Sequence, residues 1–235
     1  MQKEYIIREI TGAFPEEVEK YRNLIYLPLD LPPVPEVDSV KLAKYIREHE
    51  VEVFSHINAR KYGVSYPWYR TSVYLSDEPS TYNFKTEFPE LVEYASLFPH
   101  SGEFGLTAVV QKQSDAFCHS DIGDWFGFRF YANAGEGENL YFKKAKVIEN
   151  KNLRTYDENG YSIESRLEES KIFAKKPKNT YPWIMTNVLA AHGVENVEVT
   201  TNRIVIAVFF KIDWLKTRVL LDRSLERYSE HAIWY

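Results

Sequence analysis

Apolar residues recur along this chain with two periods, and the dominant one changes near residue 104. Before that point the spacing is mostly helical. Over 15–26, Val18, Tyr21, Leu24 and Ile25 follow Pro15, Glu16 and Glu17 at intervals that suit a helix. The proline-rich run 27–35 cannot be helical and reads as an extended crossing. Asp38 or Ser39 can cap a helix over 40–49. Pro89 opens another to about residue 97, with Leu91, Val92 and Ala95 on its buried side. Between them, 58–85 is rich in turns and aromatic residues, with a candidate strand at 71–75. Residues 1–10 alternate weakly, as an edge strand does.

After residue 104, short apolar runs separated by turn residues take over. They predict strands over 106–113, 117–121, 127–132, 140–142, 145–148 and 183–189, with turns at 133–138 and 156–160. Residues 162–175 fit a charged helix or a long hairpin, and periodicity does not choose between them. Residues 203–210 are apolar on both faces of an extended chain, which predicts a central, doubly buried strand over 203–211. Asp213 can cap a terminal amphipathic helix carrying Trp214, Leu215, Val219, Leu220 and Leu225. The expected fold class is mainly β with flanking helices (α+β), a β-sandwich or jelly roll buttressed by helices. The chain reads as a single domain over 1–235. It divides into a mostly helical and loop-like N-terminal elaboration over 1–103, a β core over 104–213 and a C-terminal helix over 214–235.

Composition narrows the partners. Aromatic residues make up 15% of the chain, an excess that suits broad sheets and thick pocket walls better than a helical bundle. A net charge of −5 with no basic run leaves no footprint for nucleic acid or an anionic membrane. The single cysteine, Cys118, excludes an intrachain disulfide and fits a reducing compartment. On a strand it would face away from its neighbour His119 and reads as a small buried hydrophobe. No run approaches the ~18 apolar residues of a membrane span, and the first residues lack the apolar stretch of a secretory signal. The expected location is the cytoplasm.

Four residues carry the candidate chemistry: His119, Asp121, His192 and Arg203. His119 and Asp121 stand two apart in Cys-His-Ser-Asp, and none of the other five histidines has an acid two residues on. Side chains two apart on a strand share a face, so both can meet one ion. His192 follows 73 positions later in Ala-Ala-His-Gly-Val, and Arg203 heads the apolar run 11 positions after that. Two imidazoles and a carboxylate can hold one face of an octahedral Fe(II). Arginine can grip a carboxylate with two parallel hydrogen bonds. Each residue also has a plainer reading. His119 is then a core histidine, Asp121 a turn former before Gly123, His192 the close of a helix or loop before Gly193, and Arg203 the partner of a structural acid.

Taken in order, His-x-Asp, a distal His and then Arg resemble the Fe(II)/2-oxoglutarate-dependent oxygenases over roughly residues 104–213, with places similar to aspartyl/asparaginyl hydroxylases. The resemblance implies a double-stranded β-helix with the metal at its mouth. It implies His119, Asp121 and His192 as Fe(II) ligands, and Arg203 at the distal carboxylate of 2-oxoglutarate. O₂ would be consumed, succinate and CO₂ released, and a C–H bond of an amino acid, peptide side chain or small metabolite hydroxylated. Arg129 shares a strand face with Gly127 and Tyr131 and stands where some members carry an arginine near the co-substrate. It would serve the co-substrate, bind an acidic substrate group, or pair with an acid at the rim. Trp125 and Trp183 flank the motif as candidate pocket walls or as core. His100, in Pro-His-Ser-Gly, reads as a turn and the best alternative ligand. Competing functions are a cupin-like metal protein of other activity, a non-catalytic interaction domain and, against the acidic balance, a nucleic-acid demethylase.

Overall fold

The computed structural model describes residues 14–50, 68–74, 84–102, 105–111, 116–119, 126–134, 139–144, 171–175, 181–188, 190–195, 202–209 and 212–235. The expected elements at 1–10, 145–148 and 156–160, and most of 162–175, lie outside these residues. So do Asp121 and Trp125.

Two antiparallel sheets face each other, and helices cover the outer side of the larger one. The strands are β1 (Leu24–Leu29), β2 (Trp68–Tyr74), β3 (Gly105–Gln111), β4 (Ala116–His119), β5 (Phe126–Asn133), β6 (Asn139–Lys144), β7 (Lys171–Lys175), β8 (Trp183–Asn187), β9 (Ala191–Glu195), β10 (Ile204–Phe209) and β11 (Ile233–Trp234). The major sheet runs β11-β1-β8-β5-β10-β3-β2 and the minor sheet β4-β9-β6-β7. The doubly apolar run at 204–209 is central, as its composition predicts, with β5 and β3 on either side.

Three helices follow from local chemistry. In α1 (Ser39–Glu48) the Asp38 carboxylate accepts from the backbone N–H groups of Val40 and Lys41 at 3.0 and 2.9 Å, which satisfies two donors left over at a helix start. Pro89 occupies the first turn of α2 (Pro89–Ala95), where its missing N–H costs nothing. Asp213 caps α3 (Trp214–Tyr228) by accepting from Lys216 N at 3.1 Å. Thr217, Leu220, Leu221 and Ser224 form the buried stripe of α3. Leu215 and Val219, expected in that stripe, are each 60% exposed. They lie four apart on the opposite flank, and only packing against the sheet decides which flank is covered.

Two further expectations change. The helix expected over 15–26 is a 3₁₀ helix over Glu16–Tyr21, and Leu24–Leu29 is a strand buried along its whole length. Pro28 lies beyond the two residues, Leu24 and Tyr26, that pair with β11, so among the described residues its missing N–H breaks no bond to that strand. The first 103 residues are also more than an elaboration of helix and loop. β1 and β2, both inside that stretch, pair into the major sheet with β8 and β3.

Strand alternation splits the apolar residues of the major sheet between two cores. Leu27, Ala108, Val110, Phe128, Phe130, Trp183, Met185, Ile204 and Ile206 face the helices, meeting Leu42, Ile46, Leu91, Tyr94, Phe98 and Leu220. Tyr26, Tyr131, Ile184 and Val205 face inward and meet Leu140, Phe142 and Val194 of the minor sheet. The inner space between the sheets holds the candidate site.

Candidate metal and anion site

His119 and His192 are direct cross-strand partners: β4 pairs with β9 so that His119 stands opposite His192. The two histidines, 73 positions apart in sequence, therefore stand on adjacent strands of one small sheet. The pairing depends on an irregularity. Ala116 is opposite Val194, yet His119, three residues on, is opposite His192, only two residues back. β4 therefore carries one extra residue, a bulge. In a regular ladder Cys118 would take the place opposite His192. Bulges re-aim a strand in this way beside functional sites.

His192 is 3% exposed. Its Nδ1 lies 2.8 Å from the Ala190 carbonyl oxygen. A carbonyl only accepts, so Nδ1 carries a proton, and the neutral tautomer with that proton has its lone pair on Nε2. A backbone carbonyl behind the ring is also the usual way an imidazole is oriented toward a metal. β6 continues the rung, with Phe142 opposite His192. The reading of His192 as the close of a helix or loop gives way, because it lies inside a strand.

Arg203 immediately precedes β10, one residue short of the strand expected to begin with it. It is 5% exposed, and its guanidinium carbon sits 5.3 Å above the Tyr131 ring. Strand parity puts it on the inward face with Val205, the register partner of Tyr131. A cation this buried is expensive unless it meets an anion or a π face. Arg129 lies on the same inward face, opposite Ala207 on β10 and Ile184 on β8.

Trp183 does not line this space. It faces the helices, with its ring centroid 4.7 Å from that of Phe130, 5.7 Å from Tyr94 and 5.8 Å from Phe98. Ile184 and Thr186 take the inward positions of β8 instead, since parity assigns alternate residues to opposite faces. His100 serves a turn, its Nδ1 2.9 Å from the Gly102 carbonyl oxygen, and Gly102 adopts a φ of 82° that favours glycine. Among the described residues no group of three or more His, Cys, Asp or Glu is placed to hold a metal ion. Asp121, the expected third ligand, is outside them. Sequence reasoning passed over Thr186 and Phe142. The available signal for Thr186 was a polar residue two after Ile184, following the apolar start of its strand.

No family model matches the chain, and no curated protein matches it. Some solved structures resemble it. An oxidoreductase of the 2OG-Fe(II) oxygenase family from Burkholderia pseudomallei is 13% identical, with 87% of this chain and 92% of that one covered and a TM-score of 0.37. HygX from Streptomyces hygroscopicus, solved with nickel and 2-oxoglutarate bound, is 12% identical over 84% of this chain and 86% of its own, at a TM-score of 0.36. The E. coli protein ycfD is 11% identical over 93% of this chain and 58% of its own, at 0.42. At such identities, what the site can do rests on the residues of this chain.

Proposed function

We propose that this chain is an Fe(II)- and 2-oxoglutarate-dependent oxygenase that hydroxylates a C–H bond of an amino acid, peptide side chain or small metabolite, with release of succinate and CO₂. The observation that carries the reading is the His119–His192 rung. A bulge brings His119 into register opposite His192 on the neighbouring strand, and the Nδ1 of His192 is held by the Ala190 carbonyl, which leaves Nε2 for a metal. The two facing antiparallel sheets are the support for a double-stranded β-helix core.

The donor set fits Fe(II). His119 and His192 supply neutral nitrogen, and Asp121, two residues past His119, supplies a hard anionic oxygen. With these three ligands the metal would keep room for a co-substrate and O₂. When bound, the metal supplies the oxidising power for C–H hydroxylation, driven by decarboxylation of 2-oxoglutarate. Arg203 holds the distal carboxylate through paired N–H donors in a site closed to bulk water, where such bonds are strongest. The Tyr131 ring lies beneath the guanidinium. Tyr26, Phe142 and Ile184 keep the inner space dry, which protects a reactive centre.

The test is anaerobic titration with Fe(II), followed by succinate release from 2-oxoglutarate in air. The wild-type chain binds one equivalent, and His119→Ala, Asp121→Ala and His192→Ala each lose both binding and succinate release. Wild-type protein that binds no Fe(II), or variants that bind it equally well, overturn the proposal and favour a non-catalytic interaction domain.

A further inference from the structure

Among the described residues, Arg129 and Thr186 on the inward face of the major sheet stand together without hydrogen-bond partners. Arg129 is partly buried, and its guanidinium makes no hydrogen bond or ion pair among the described residues. Thr186 is fully buried, and its hydroxyl has no hydrogen-bond partner among them either. Unsatisfied buried polar groups are rare because each costs free energy that folding does not recover. A fully buried hydroxyl left without a partner beside a half-buried guanidinium calls for a ligand.

Gly127 brings them together. It is the direct partner of Thr186 on β8, so the Thr186 Cβ stands about 4.5–5.5 Å from where a Cβ on Gly127 would be. Arg129 Nη2 lies 3.6 Å from that same point, and Val188 Cγ1 only 2.6 Å from it. The glycine thus lets Val188 pack onto the strand as an apolar wall, while the Arg129 head folds back beside Thr186. Arg203 is turned the other way along the sheet, over Tyr131. Gly127 and Tyr131 flank Arg129 on opposite sides, so the two guanidinium groups address different places.

The rung that holds Thr186 also leads to His192. Tyr26 is the partner of Thr186 on β1. Its ring is 6.5 Å from that of Phe142, and Phe142 is the partner of His192. From these contacts we infer that Arg129, Thr186 and the wall at Val188 form a second anion subsite, which takes a carboxylate of the primary substrate and presents that substrate to the histidine pair. A carboxylate is favoured over a phosphate group. One guanidinium neutralises one negative charge, and its planar fork together with a single hydroxyl donor matches two oxygens in a plane. Identifying this anion as the substrate's rests on the oxygenase reading, whereas the anion subsite itself does not.

The test uses the full chain with saturating 2-oxoglutarate and Mn(II), which keeps the Arg203 site filled, and benzoate with its neutral amide as probes by ligand-observed NMR. Benzoate binds and benzamide does not. Arg129→Gln weakens benzoate binding by about tenfold or more, the loss expected for a charge-assisted pair. Thr186→Val, close to wild type in shape and charge, weakens it by a smaller factor and leaves the urea midpoint near wild type. Arg203→Gln abolishes 2-oxoglutarate binding and, with that site empty, still binds benzoate. Equal benzoate binding in wild type and Arg129→Gln, no benzoate binding to wild type, or benzoate binding lost only in Arg203→Gln overturns the subsite. Benzoate binding through Arg129 in a chain that takes up no Fe(II) leaves the subsite standing and removes the oxygenase reading alone.

Discussion

Replacing Arg203 by lysine keeps the charge and removes the fork. Arg203 is 5% exposed and its guanidinium carbon lies 5.3 Å from the Tyr131 ring centroid, so little water is available to take over a lost N–H···O bond. The loss then belongs to the range for hydrogen bonds to charged groups, about 1.5–3 kcal/mol, or roughly 10- to 150-fold in 2-oxoglutarate affinity. Thermal unfolding reads this directly. A ligand at a hundred times its Kd stabilises the fold by about 2.7 kcal/mol. For a chain of this length that raises Tm by about 5–11 °C. With Kd weakened a hundredfold the same ligand concentration contributes only about 0.4 kcal/mol, about 1–2 °C. The assay is a melt with and without 2-oxoglutarate, in Mn(II) so that no turnover intervenes. Wild type shifts by the larger amount, Arg203→Lys by the smaller and Arg203→Met not at all. An Arg203→Lys chain that keeps the full shift would refute the assignment of Arg203 to the co-substrate and favour a metal protein of other activity.

Three further outcomes concern the scaffold. Ser224→Ala destabilises by about 1–3 kcal/mol in urea unfolding, because the Ser224 hydroxyl accepts from Asp30 N at 2.9 Å and its loss strands that donor where β1 meets α3. Arg227→Ala leaves the urea midpoint close to wild type although it breaks an ion pair, since its side chain is 63% exposed and Arg223 still holds Asp30 at 2.7 Å; the reverse order would contradict the burial argument. Trp183→Ala costs about 3–5 kcal/mol as a large aromatic lost from a filled core. Fe(II) titration of the folded variant stays at the wild-type affinity because Trp183 faces away from the histidines, and a marked loss of affinity would return it to the pocket wall.

The sequence by itself determined what is local. The caps at Asp38 and Asp213, the proline start of α2 and the doubly apolar strand over Ile204–Phe209 were all legible, because each depends on a few neighbouring residues. The ligand candidates were legible as residue types in order, and Arg129 could be put on the face of Gly127 and Tyr131 from strand parity alone. Leu24–Leu29 was misread because a strand buried on both sides has no period, and its first residues extend the helical spacing of Val18 and Tyr21. Which flank of α3 is covered, and which face of β8 carries Trp183, followed from packing against other elements. Only the tertiary structure brought His119 opposite His192, across 73 positions and through a bulge that shifts the register by one residue. A one-residue shift exchanges the faces of a strand. No local pattern marks it, because register is set by the partner strand.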